Sequence, residues 1–110
     1  MNEYLFVFRR DYKTPEIQPS PEKLQQHIKH WADWYRSLAA TDKLSRPVQR
    51  LDATGKVVND KTVDGPFVEV NQSIGGIVFI KAMTYEHALE IAQDCPILDL
   101  GGTVEIRQGL

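Results

Sequence analysis

The hydrophobic positions of the N-terminal third follow first a strand pattern and then a helix pattern. Residues 4–9 are rich in aromatic and β-branched side chains on both alternating faces, which predicts a strand buried on both faces. Ser20 followed by Pro21 is typical of a helix start, because serine caps free amides and proline suits the first helical position. A helix over residues 21–40 is therefore predicted. Its apolar stripe consists of Leu24, Ile28, Trp31, Tyr35 and Leu38.

The middle of the chain has shorter and less regular apolar runs. Residues 47–52 are predicted to form an edge strand, joined by a turn at residues 52–55 to a short partner at residues 56–58. Residues 59–66 are expected to be irregular, and residues 67–70 to form a brief strand.

A long strand and a second helix are predicted in the C-terminal part. The strand covers residues 74–82, and its adjacent Gly75 and Gly76 indicate a β-bulge or close packing. Thr84 is expected to cap the helix and Pro96 to end it. The expected apolar positions of this helix are Tyr85, Ala88, Leu89 and Ala92.

The last predicted strand, residues 103–107, alternates Val104 and Ile106 inward with polar residues outward. The whole order predicts one α+β domain, residues 1–110, with a ferredoxin-like βαββαβ antiparallel sheet and two helices on one face. The other face of that sheet needs a cover, and the chain has no further helix to supply it. We therefore expect a homodimer in which two sheets pack together.

Composition and charge exclude several classes of partner. The 110 residues carry 15 acidic and 13 basic side chains, so no positive excess is available for nucleic acid, and none is predicted as a partner. No apolar run approaches the ~20 residues of a membrane helix, and no signal peptide is recognisable. A single cysteine, Cys95, fits a reducing compartment, and a cytoplasmic location is expected.

Three segments resemble a known family. They are the stretch around residues 63–70 with its Asp-Gly-Pro-Phe tetrapeptide, the helix-two run ending at Cys95-Pro96, and the closing segment 101–107. In this order, with the N-terminal strand and the Trp31/Trp34 helix, they are similar to the YCII-related, DGPF-type proteins along nearly the whole chain. The resemblance implies a dimeric α+β barrel with a pocket between helix one and the sheet.

The resemblance also implies a chemistry and a partner. A histidine on helix one and an aspartate are a proposed acid/base pair in related proteins, and a few relatives are dehydrochlorinases or muconolactone-isomerase-like enzymes. Other members are associated with sigma factors of transcription, which implies a regulatory role instead.

Two residues are candidates for that acid/base pair. Asp64 is either a general base in a pocket, tuned by burial, or the cap of a local Asp-Gly-Pro turn. His27 lies at the edge of the helical stripe, where an imidazole suits proton transfer, or else it is a half-buried histidine bonded to the backbone. We predict Asp64 and His27 as the catalytic residues.

The predicted ligand-binding residues surround this pair. Trp31 and Trp34 either wall an apolar pocket or fill the core, and Trp34 is expected to be the nearer to a ligand. Arg9 either meets an anionic substrate or is a solvated strand end. The motif residues Gly65, Pro66 and Phe67 are expected to border the ligand, the first two through backbone shape.

The remaining candidates are assigned no chemistry. His30 is expected to make a solvated pair with Asp33, and His87 to lie on the surface. The histidines lack metal-ligand spacing, so no metal is predicted. No glycine-rich phosphate loop is present, so no cofactor is predicted. Cys95 is expected to be a small apolar residue.

Two functions remain open on the sequence. The first is a cofactor-independent enzyme that isomerises a small carbonyl-bearing molecule or eliminates a group from it by proton transfer. The second is a non-catalytic dimeric module that binds a ligand or a protein partner. A buried Asp64 within reach of His27 would favour the enzyme, and an Asp64 fully bonded to backbone amides would favour the module.

Overall fold

A computed structural model describes all residues 1–110 and contains seven strands, two α-helices and two short 3-10 turns. The strands are β1 (Asn2–Arg10), β2 (Gln49–Arg50), β3 (Gly55–Val58), β4 (Thr62–Gly65), β5 (Val68–Glu69), β6 (Gln72–Ala82) and β7 (Thr103–Gln108). The helices are α1 (Pro21–Ala40) and α2 (Tyr85–Gln93), and the 3-10 turns are Pro15–Ile17 and Pro96–Leu100. Neither α-helix is long and apolar enough to cross a membrane.

The main sheet is antiparallel, with strand order β2-β6-β1-β7, and β5 pairs with the end of β6. Counting only the four strands of that path, the order along the chain is 4-1-3-2, which is the ferredoxin-like arrangement. Both helices pack on one face, because their buried side chains join a single core with those of β1 and β6. The predicted α+β class and topology are confirmed.

Side-chain caps start both helices, as the sequence predicts. The backbone N–H of Lys23 donates to Ser20 Oγ at 3.2 Å, and the N–H of His87 donates to Thr84 Oγ1 at 3.1 Å. Each hydroxyl satisfies one of the amides that the first helical turn leaves free, which fixes where the helix begins.

The core lies between the helices and one face of the sheet. Strand β1 contributes three aromatic rings at alternate positions, and β6 contributes aliphatic side chains at its own alternate positions. The buried core residues are Tyr4, Phe6, Phe8, Trp34, Leu38, Val78, Ile80, Ala82, Ala88, Ile91, Ala92, Cys95 and Ile97. Val104 and Ile106 of β7 pack against them, as expected from their alternation.

The predicted helix stripes are only partly correct. In α1, Leu24 and Ile28 are exposed, Ile28 by 60%, whereas Trp34 is 7% exposed and central to the core. The side chains that face the sheet run through residues 27, 31, 34 and 38, a rotation of about one residue from the prediction, because the indole of Trp34 packs edge-on against Phe8. In α2, Ile91 is buried and Leu89 is exposed.

The strand pairing predicted in the middle of the chain is wrong. Strand β3 pairs with β4 in a separate two-stranded hairpin, and residues 62–65 are therefore a strand rather than irregular. Asn59 closes this hairpin, since its side-chain Oδ1 accepts from Lys61 N at 3.0 Å. Strand β2 instead pairs with β6.

The β-bulge predicted at the glycine pair is confirmed. Phe8 is opposite Gly76 and Arg9 is opposite Ile74, so Gly75 is the extra residue of β6. A Cβ on Gly75 would lie 1.7 Å from the hydroxyl oxygen of Tyr12, so only glycine leaves room for that ring.

Candidate functional site

Polar side chains gather under α1 where β1 ends. Antiparallel partners share a face, so Arg50 of β2, which is opposite Gly76, projects on the same side as Phe8. Arg10 follows Phe8 by two positions and, beyond the bulge, is opposite the buried Ser73 on that same side. Two guanidinium groups therefore border the sheet surface that α1 covers.

Helix α1 contributes an imidazole and two rings above this surface. The indole Nε1–H of Trp31 donates to His27 Nε2 at 2.7 Å. The Trp31 ring lies edge-on to Phe8, with ring centroids 5.0 Å apart, and 5.3 Å from the ring of Tyr35. We call the set His27, Trp31, Tyr35, Arg10, Arg50 and Tyr12 the α1 cluster.

The protonation state of His27 follows from its hydrogen bond. Because Nε2 accepts the indole proton, a neutral ring carries its own proton on Nδ1. That Nδ1 atom is buried and has no hydrogen-bond partner. Burial lowers the pKa of His27 below its ordinary value, and the Arg10 guanidinium lowers that pKa further. His27 is thus a neutral hydrogen-bond donor.

The loop after β1 completes the cluster with Tyr12. The Arg10 guanidinium stacks over the Tyr12 ring, 4.3 Å from its centroid, and donates to Gln18 Oε1 at 3.1 Å. Asp11 fixes the loop by accepting from the backbone N–H groups of Lys13 and Thr14, both at 2.9 Å. The Tyr12 hydroxyl then rests on Gly75, so the bulge seats this ring.

Burial also affects the other titrating groups near the cluster. It raises the pKa of Tyr12 and, more strongly, that of Tyr35, so both phenols stay protonated donors at neutral pH. Burial raises the pKa of the Cys95 thiol to about 12, which makes it a poor nucleophile.

The Asp-Gly-Pro-Phe segment lies in the hairpin region. Asp64 of β4 is 87% exposed and forms an ion pair with Lys56 of β3. A cleft of 460 Å³ beside this pair includes Asp64 and Gly65, and a second cleft of 370 Å³ includes Arg9, Pro66 and Phe67. Five of the predicted site residues therefore border these two clefts.

The predicted site residues thus fall into two groups. His27 and Trp31 belong to the α1 cluster, whereas Arg9 projects on the sheet face opposite the helices and bonds Glu105 at 2.6 Å. No hydrogen bond joins Asp64 to His27, and the pair stays a prediction. Trp34 is buried and Trp31 is half-exposed, whereas Trp34 was expected to be the nearer to a ligand; which of the two contacts a ligand stays a prediction.

The other histidines have structural partners. His30 Nδ1 lies 2.7 Å from Asp99 Oδ2, so the predicted pairing with Asp33 is wrong, and Asp33 instead bonds Arg36. His87 is half-buried and its Nδ1 accepts from Met83 N at 3.3 Å. No group of three or more His, Cys, Asp or Glu side chains is arranged to hold a metal ion.

Four members of the α1 cluster were missed as site residues: Arg10, Tyr12, Tyr35 and Arg50. Arg10 follows Phe8 by two positions in β1, so the alternation of the strand places both side chains on the same face of the sheet. This signal was available in the sequence. Arg50 and Tyr12 could be assigned to the cluster only from the pairing of β2 with β6 and from the position of the bulge. Neither can be deduced from the neighbouring residues in the sequence.

These features define a βαββαβ antiparallel protein with a polar and aromatic cluster beneath its first helix. The YCII-related domain model matches residues 5–108, and the chain belongs to that family. A similar solved structure is the 5-chloro-2-hydroxyhydroquinone dehydrochlorinase TftG from Burkholderia phenoliruptrix AC1100, in complex with 2,5-dihydroxybenzoquinone. The two are 14% identical over 97% of this chain and 93% of the other, with a TM-score of 0.46. No curated protein sequence matches.

Proposed function

We propose that the chain is a cofactor-independent enzyme, of isomerase or lyase type, that acts on a small carbonyl-bearing molecule at the α1 cluster. The observation that carries the proposal is the buried Nδ1–H of His27, which has no partner within the chain. An unpartnered buried donor costs ~1–3 kcal/mol, and a ligand oxygen would satisfy it.

The proposed role of His27 is that of a donor and not a base. Its Nε2 lone pair is occupied by the Trp31 N–H, so the ring has no free lone pair with which to take a proton. A neutral imidazole that donates from Nδ1 stabilises the negative charge that develops on a carbonyl oxygen when a neighbouring C–H bond breaks. The lowered pKa of His27 keeps the ring in this neutral form at neutral pH.

The base in this proposal is Asp64. Its carboxylate accepts from Lys56 and from no backbone amide, so it is not committed to capping a turn. It is also remote from hydrogen-bond contact with His27 within one chain, and the proposal therefore requires the hairpin to bring it to the ligand.

A homodimer is part of the proposal. The sheet face opposite the helices, which we call the open face, carries a central apolar strip of Leu5, Val7, Ile77 and Phe79. Around the strip lie charges of both signs, including the Arg9–Glu105 and Arg46–Glu3 pairs. A face that mixes an apolar centre with both signs of charge suits pairing with its own copy across a two-fold axis.

A binding module is the second candidate, favoured by the separation of Asp64 from His27. In that case the α1 cluster would hold a ligand without moving its protons. The experiment therefore has to detect proton transfer itself.

The test is deuterium incorporation. The protein is incubated in D₂O with a panel of cyclic ketones and unsaturated lactones, and proton NMR follows exchange next to the carbonyl group. We expect exchange with at least one compound, reduced ~10²–10³-fold in His27→Gln, the range seen when one stabilising donor is removed. His87→Gln is the matched control. Exchange that is equal in wild type and His27→Gln rejects the role of His27. Shifts of the Trp31 indole signal without any exchange favour the binding module.

A further inference from the structure

The α1 cluster offers hydrogen-bond donors without a matching acceptor. Arg10 makes no ion pair with a carboxylate, since its hydrogen bonds go to Gln18 and to the backbone oxygen of Asp11. Arg50 is exposed, its backbone pairs with Gly76, and its guanidinium forms no ion pair within the chain. His27 adds its Nδ1–H, which is buried and has no partner. Two permanent positive charges thus remain available on one side of the sheet.

The nearby acids are committed elsewhere. The carboxylate of Asp11 is held by two backbone N–H groups and by the Thr14 hydroxyl. Asp99 bonds His30 at 2.7 Å, and its charge also acts on His27. Neither carboxylate bonds Arg10 or Arg50, so an incoming anion does not have to displace an existing ion pair.

The walls of the cluster suit a flat molecule. Trp31 and Tyr35 present planar rings, and Tyr12 presents a third ring that is fixed between the Arg10 guanidinium and Gly75. Between Phe8 and Arg50 lies Gly76, where the space that a side chain would fill is bordered by the Phe8 ring at 3.6 Å. A planar ligand would meet the Phe8 ring there rather than a side chain of β6.

We infer that the ligand of the α1 cluster is a small planar carboxylate. Its carboxylate would bond the guanidinium groups of Arg50 and Arg10, and its flat body would lie against Trp31 and Tyr35. Guanidinium matches carboxylate geometry in a bidentate manner, which makes the charge selective as well as attractive. The inference rests on the proposed function, because it names the substrate class of the same site.

The test compares two probes that differ in charge and hardly in shape, benzoate and benzamide. Each is titrated into the full chain while ¹⁵N-edited NMR follows the Trp31 indole and backbone amides, which gives a Kd for each probe. We expect benzoate to bind at least ~10-fold more tightly than benzamide, because charge-assisted hydrogen bonds are worth ~1.5–3 kcal/mol.

Two variants identify the source of the preference. Arg50→Gln should weaken benzoate at least ~10-fold and leave benzamide unchanged. Arg36→Gln is the matched control, because Arg36 lies on the exposed side of α1 and bonds only Asp33. It should change neither Kd. Both variants alter exposed side chains, so folding is expected to be unaffected, which the NMR spectra check directly.

The outcomes separate this inference from the proposed function. Equal binding of both probes, or benzoate binding that does not change in Arg50→Gln, overturns the carboxylate assignment and leaves aromatic binding at the α1 cluster in place. Failure of both probes to shift the Trp31 indole at millimolar concentration overturns ligand binding at the α1 cluster and with it the proposed function. Tight binding of benzoate together with weak binding of benzamide supports the inference, provided that Arg50→Gln removes this preference and Arg36→Gln does not.

Discussion

The α1 cluster and the β3–β4 hairpin differ in how the fold treats their polar groups. In the cluster, burial shifts the pKa of His27, Tyr12 and Tyr35, and one buried nitrogen has no partner. In the hairpin, Asp64 is exposed and paired with Lys56. The conspicuous sequence motif thus lies in an exposed hairpin, and the groups whose pKa values are shifted by burial lie where the sequence pattern is ordinary. In this chain, the recognisable sequence motif and the side chains with shifted pKa values are therefore in different places.

The largest expected contrast between the two regions is in stability. Trp34→Ala beneath α1 should lower the free energy of unfolding by ~3–5 kcal/mol, the usual result of truncating a buried aromatic ring. Phe67→Ala in the motif should change it by no more than ~0.5 kcal/mol, because Phe67 is 67% exposed. Urea denaturation measures both. A large loss for Phe67→Ala that grows with protein concentration would mean that an assembly buries this ring.

A smaller contrast is expected between two glycines. Gly75→Ala should cost ~1–3 kcal/mol as an overpacked site and expel the Tyr12 ring, so that its raised pKa returns toward the ordinary value. Gly55→Ala in the hairpin meets its nearest atom at 3.6 Å and should be tolerated. Thermal unfolding and ultraviolet titration of the phenols measure the two effects. A Tyr12 pKa that does not change in Gly75→Ala contradicts the seating of the ring by the bulge.

The pH dependence of His27 provides the third contrast. Its pKa is lowered in the folded chain, so the unfolded chain binds the proton more readily as the pH falls below ~6.5. Stability attributable to His27 is therefore full above pH ~6.5 and is lost as the pH falls toward the lowered folded pKa. His27→Gln should remove this slope in denaturation measured between pH 7.5 and ~5. A slope that persists unchanged in His27→Gln assigns it to another group.

The smallest expected effect concerns the predicted acid/base pair. Asp64→Asn should leave the pKa of His27 unchanged, because the groups that shift it are Arg10, Asp99 and His30 together with burial. Asp99→Asn, the matched control, should lower the pKa of His27 further, since the Asp99 charge raises it. NMR titration of the imidazole protons measures both. A shift on Asp64→Asn would show that Asp64 and His27 are close in solution.

The fold was predictable because its signals are local. Caps at Ser20 and Thr84, the aromatic run of β1 and the glycine pair of β6 each determine an element within a few residues. The order of those elements then leaves few topologies. The exposure of Ile28 and the burial of Trp34 were missed, because a rotation of about one residue in α1 depends on which ring fills the space above Phe8.

The candidate site was predictable only in part. His27 and Trp31 were proposed from helical phase together with the family resemblance. Arg50 and Tyr12 join them through the pairing of β2 with β6 and through a loop that Asp11 fixes, both of which are long-range or side-chain effects. The pairing of β3 with β4 was missed for a similar reason, since two short strands specify their partners weakly.

The extra residue Gly75 shifts the register between β6 and β1 by one residue. From Ala82 to Gly76 every residue of β6 is paired in one register with β1, and beyond Gly75 the register moves by one. That move places Ile74 opposite Arg9 on the open face and Ser73 opposite Arg10 on the helix side. Removing Gly75 would place Ile74 directly after Gly76, so that regular alternation would keep Ile74 opposite Arg9 and Ser73 opposite Arg10. A deletion of this glycine would thus remove the bulge that accommodates the Tyr12 ring without changing which side chains face the helices.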